Sequence, residues 1–172
     1  MPIDSPLPSA IAAAATRCLD RSMVKITHCL AQLNDEQLWW RPASDMNSIG
    51  NLMLHLAGNL RQWVVAGIGG AEDHRNRPLE FAERGPVARA ELLGRLESSV
   101  ADAKEVLARI TEADLLEYRN IQGFEVTGAE ILFDCIPHFQ GHAQEIICLT
   151  RMQLGAAYRF EWEPKTPEER AE

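Results

Sequence analysis

The sequence predicts an all-α fold, a four-helix bundle with a short β-hairpin before its last helix. Three observations carry that prediction. Apolar residues recur at spacings of three and four along four long stretches, the stripe an amphipathic helix buries. Stop and start signals separate the stretches: Pro42, the run Gly67 to Gly70, Pro86, and the capping box Thr127 to Glu130. The segment YRNIQGFEV (118–126) instead reads as two short β runs around Gln122-Gly123. With 172 residues, 46% of them hydrophobic and 24% charged, the chain is expected to form one domain, 1–172, with a substantial core.

The first helix is expected over 9–33, with Ile11, Ala15, Cys18, Ser22, Ile26, Cys29 and Leu33 on its apolar face and Pro6 and Pro8 leading in. DEQLWWRP then gives one short helical turn, stopped by Pro42, whose Trp39-Trp40 pair packs the end of a bundle. The second helix starts at Asn47 or Ser48, both good caps, and buries Ile49, Leu52, Met53, Leu56, Leu60, Trp63 and Val64. Residues 71–85 are polar and read as a surface loop, with His74 solvated among charges. The third helix opens at Pro86, and Leu93, Leu96, Val100, Ala103, Leu107 and Ile110 form its seam. After the hairpin, the fourth helix runs from the TGAE box to Leu154, with Gly155 as its stop and Pro137 bending it. Tyr158 to Trp162 are expected to pack on the bundle, and the last residues to fray.

Composition excludes several classes of function. A net charge of −8 argues against nucleic acid, which selects clustered Lys and Arg. No apolar run approaches the roughly 20 residues that span a bilayer. The N-terminal stretch lacks a basic region before its apolar part, so it reads as a capped helix rather than a signal peptide. The four cysteines, Cys18, Cys29, Cys135 and Cys148, fall in apolar periodic segments with no CxxC. They read as buried, reduced thiols of a cytoplasmic protein.

The chemistry is concentrated in NSIGNLMLHLAGNLRQW (47–63) and HFQGH (138–142). His138 and His142, at i and i+4, sit one turn apart on one side of a helix and can grip one metal ion. His55, from another helix, would complete a three-nitrogen site with open positions, the arrangement that catalytic ions occupy. His55 lies off the centre of its apolar face in a polar, uncharged column with Asn51 and Asn59, which suits a cleft. Asn51, Asn59, Asp134 and Glu145 are the candidates to orient the imidazoles, and Glu145 or Asp134 is the candidate general base. Cys135, three residues before His138, is weighed as a fourth ligand, but an inert thiol fits better because thiolate would close the site. Three imidazoles suit zinc, nickel, iron or copper. The competing reading is three unrelated histidines making ordinary hydrogen bonds at helix flanks.

The segment NSIGNLMLHLAGNLRQW, the hairpin-and-helix run YRNIQGFEVTGAEILFDCIPHFQGHAQEIICLTR, the ending YRFEWEPKTPEE and the stretch LNDEQLWWRP together resemble the DinB/YfiT-like superfamily in order and spacing. The resemblance covers most of the chain. It implies a bundle in a variant of the up-and-down arrangement, often a homodimer, with one divalent ion (nickel, zinc or iron) held at the positions that are His55, His138 and His142 here. Some members of that superfamily transfer or isomerise small molecules with low-molecular-weight thiols such as bacillithiol or mycothiol. The leading expectation is therefore a metal-dependent enzyme of the thiol S-transferase type. A metal-dependent hydrolase, a non-catalytic bundle that binds metal or a small ligand under stress, and a metal-free bundle dimer are the alternatives.

Overall fold

The computed structural model describes residues 6–162 together with 166 and 168, so the chain end expected to fray lies largely outside the described residues. The long helices are α1 (Pro6–Leu30), α3 (Ile49–Leu60, continued as a π-helical segment Arg61–Ile68), α5 (Arg89–Ala108) and α7 (Gly128–Leu154). Shorter helices, α2 (Asp35–Trp39), α4 (Arg77–Ala82) and α6 (Glu112–Leu116), fill the connections, and the antiparallel hairpin β1 (Tyr118–Ile121) and β2 (Phe124–Thr127) precedes α7. α1 packs on α5 and α7, and α3 packs on the same two helices, so α1 and α3 occupy opposite corners. That diagonal placement is the variation on a simple up-and-down bundle.

Local chemistry explains the boundaries. Ser48, Thr111 and Thr127 cap α3, α6 and α7 through reciprocal boxes with Asn51, Asp114 and Glu130, and Asn34 caps α2 with Gln37. α1 starts at Pro6, earlier than the apolar pattern indicated, because a proline in the first turn removes an N–H that has no partner there. It also ends earlier, at Leu30, where the carbonyls of Leu30 and Leu33 accept hydrogen bonds from Arg89 at 2.8 Å. Gln122 and Gly123 both have positive φ, 55° and 84°, as a tight two-residue hairpin turn requires. α7 runs unbroken past Pro137 to Gly155, as the pattern indicated.

The core joins Leu19, Ile26, Ile49, Leu52, Leu56, Leu96, Phe139 and Ile146, each 1% exposed or less. On α5 the seam takes Leu92 rather than Leu93, and the helix begins at Arg89, not Pro86. The reason is tertiary: the Trp39 indole lies against Gly85 and donates to the Val87 carbonyl at 3.2 Å, holding 85–88 out of the helix. Trp39 thus packs as expected, while Trp40 stays 39% exposed. Tyr158 packs near His28, but Phe160 and Trp162 are exposed, with Arg151 stacked over Phe160 instead. Of the cysteines, Cys29 and Cys135 are buried, Cys18 is half-buried and Cys148 is exposed, because Cys148 falls on the outer side of the Ala143, Ile146, Thr150 stripe. No helix among the described residues is long and apolar enough to cross a membrane.

Candidate metal centre

α3 and α7 pack against each other and bring the three histidines to one place. One nitrogen from each of His55, His138 and His142 lies within 4.8 Å of the others. The ring centroids are 4.4 Å apart for His138 and His142, 5.1 Å for His55 and His138, and 5.2 Å for His55 and His142. The helical spacing supplies the first pair; the helix–helix contact supplies the third ring.

Two of the outer nitrogens have carboxylate partners. His142 Nδ1 donates to Glu145 Oε2 at 2.7 Å, within the same turn of α7. His55 Nδ1 donates to Glu80 Oε2 at 3.0 Å. Both rings are thereby left with Nε2 as a bare lone pair. His55 Nε2 faces His138 Nε2 at only 2.9 Å. At that separation a proton or a cation must lie between the two nitrogens, and a nitrogen of each of the three rings comes to the same spot. The donor set fits one divalent ion with positions left open. His138 is suited to this state, because burial first, and then its cationic neighbourhood including Arg75 and Arg77, pushes its pKa down to about 4. Cys135 is 3% exposed and burial, then the Asp134 charge, pushes its thiol up to about 12, which suits an inert side chain.

The surroundings of His55 differ from the expected polar, uncharged column. His55 is 5% exposed, and charged groups surround it. Glu80, itself 9% exposed, is held by Arg75 through Nε to Oε1 at 2.7 Å and Nη2 to Oε2 at 2.8 Å. Burial raises the Glu80 carboxyl, but hydrogen bonds and charge from Arg75 and His55 outweigh it, leaving the group below its ordinary value. Arg75 also donates to Gln62 Oε1 at 3.0 Å, and Gln62 in turn meets Gln122 of the hairpin and Asp73. Gly58 permits this arrangement: a Cβ there would collide with Glu80 Oε1. Residues 71–85 are therefore not a plain surface loop. α4 folds within them and carries Glu80 inward, while His74 is solvated as expected.

The other candidates have separate partners. Asn51 is buried, but its amide serves Ser48, Arg41 and the carbonyls of Glu80 and Glu83, which pins the Glu80 segment rather than touching a histidine. Asn59 and Asp134 line a cavity of about 390 Å³ shared with His55, His138, Trp63 and Arg77. Sequence reasoning missed Glu80 and Arg75. Their one sequence signal is Pro78 at the start of a short helical turn carrying Glu80 and Phe81.

The chain matches the model of the DinB superfamily over residues 19–146. Among solved structures it is similar to a conserved protein from Enterococcus faecalis, with a TM-score of 0.71 and 22% identity over 83% of this chain and 96% of that one. At that identity the likeness speaks for the fold. No curated protein matches the chain.

Proposed function

The chain belongs to the DinB superfamily, and on that premise we propose that His55, His138 and His142 hold one divalent metal ion, nickel, zinc or iron, in an enzyme acting on a small molecule. The observation that carries this reading is the convergence of three imidazole nitrogens within 4.8 Å, two of them on rings whose other N–H is tied to a carboxylate. Carboxylates in that position fix the tautomer and make the nitrogen a better ligand.

A divalent ion so held supplies Lewis acidity, lowering the pKa of a thiol or water at its open positions. The protein's own residues prepare for that chemistry. Glu80 and Glu145 hold two rings in register, and burial keeps His138 neutral. Asp134, exposed and lining the cavity, is the residue we assign to accept a proton from an incoming nucleophile. Thiol-dependent S-transfer is the reaction class we favour, following the resemblance, with the open cavity beside the histidines as the place where thiol and substrate meet. A net charge of −8 supports a small-molecule rather than a nucleic-acid partner.

Elemental analysis of protein purified without chelator tests the reading. About one equivalent of metal is expected in the wild type and little in His55→Ala or His138→Ala. Equal metal content in wild type and variants overturns it. Incubating the metal-loaded protein with an electrophile, with and without added thiol, then separates S-transfer from hydrolysis.

A further inference from the structure

Resting on the metal reading above, we infer that the cavity beside the histidines takes a small organic anion, a carboxylate or phosphate ester, and that Arg77 anchors its charged end. The cavity, about 390 Å³, has the size of a small-molecule site, and Trp63 offers it an aromatic wall while Asn59 and Gln122 offer amides.

Two guanidinium groups line this cavity, and their situations differ. Arg75 is almost fully buried and its charge is matched by the two-pronged contact with Glu80. Arg77 has no carboxylate and no other hydrogen-bond acceptor among the described residues. It is exposed to solvent and lies over the Phe81 ring, its guanidinium carbon 4.9 Å from the centroid. Phe81 in turn lies 4.9 Å from the His55 ring, so the unmatched cation is tied by one stacked ring to the metal-binding histidine. A planar fork held this way suits two-pronged capture of a carboxylate or phosphate. The one carboxylate lining the cavity, Asp134, pairs with neither arginine among the described residues. It would repel an anion on its own side and so directs the negative end towards Arg77. In a chain of net charge −8, an unpaired cation beside the proposed reaction centre stands against the general field.

The test is calorimetric titration with benzoate, its neutral isostere benzamide and the cation benzylamine. Wild type, Arg77→Gln and Arg77→Lys are each titrated metal-loaded and chelator-stripped, with metal content measured on the same samples. Benzoate is expected to bind the wild type about tenfold or more tighter than benzamide, as a charge-assisted pair should. Arg77→Gln should lose about tenfold in benzoate affinity at unchanged metal content, and Arg77→Lys should regain part of it. Benzoate binding that is absent from the wild type, unchanged in Arg77→Gln, or matched by benzamide or benzylamine overturns the inference. Failure of the metal reading would show separately, as metal content no higher in the wild type than in His138→Ala; the stripped protein would still decide the anion site.

Discussion

His55 and Glu80 are 25 positions apart in sequence, yet Nδ1 of one donates to Oε2 of the other at 3.0 Å with both residues buried. This contact ties the polar segment 71–85 to the histidine cluster. It also gives His55 its tautomer, which in turn aims the Nε2 lone pair at His138.

Glu80→Gln keeps the shape of the side chain and removes its charge. The imidazole loses its anionic acceptor, and Arg75 is left almost fully buried without a counter-charge. Metal affinity should fall about 10- to 100-fold, read by competition with a chromogenic chelator. Unchanged affinity would refute the role given to Glu80.

Gly58→Ala places a methyl group where Glu80 Oε1 now sits. Alanine favours the helix by about 1 kcal/mol over glycine, so a loss here would come from the displaced carboxylate. The expected result is weakened metal binding resembling that of Glu80→Gln, with far-ultraviolet circular dichroism unchanged. A variant that binds metal as the wild type does would contradict it.

On the proposed reading metal should stabilise the fold, since the three histidines are brought together in the native cluster and not in the open chain. At a free concentration about 100 times Kd the gain is about 2.7 kcal/mol, which for a chain of this size raises Tm by roughly 5–10 °C. Differential scanning fluorimetry with and without chelator checks this, and the shift should vanish in His138→Ala.

Thiol labelling should separate the cysteines by burial. Cys148, exposed, should react with iodoacetamide at neutral pH, while Cys135 stays unlabelled until the protein unfolds. The Cys135 thiol is raised to about 12 from an ordinary 9.0, by burial and then by Asp134. The unfolded chain therefore loses this proton first, and between about pH 9 and 12 the group subtracts from stability as pH rises. Peptide mapping after labelling, and urea midpoints across that range for wild type and Cys135→Ala, give the readouts. A Cys135 that labels as fast as Cys148 would overturn the assignment.

The sequence by itself determined the features that depend on neighbours a turn away. The Thr127–Glu130 box starts α7 and Gly155 ends it, as their residue types require. The Gln122-Gly123 turn follows from its chemistry, and the i,i+4 spacing puts His138 beside His142. Helical periodicity marked the four long helices, although it set the start of α5 three residues early, because Trp39 reaching across to Val87 leaves no local trace. Tertiary structure alone decided what surrounds His55. Arg75 and Glu80 belong to a polar segment whose composition matches a solvated loop, and no period-3.6 stripe marks a six-residue helix. Their burial becomes favourable only once each charge has met its partner, with His55 and Gln62 completing the set, and those partners come from helices already packed. A residue's own type and spacing fix its place along a helix; whether a charged side chain turns inward depends on what distant segments offer it there.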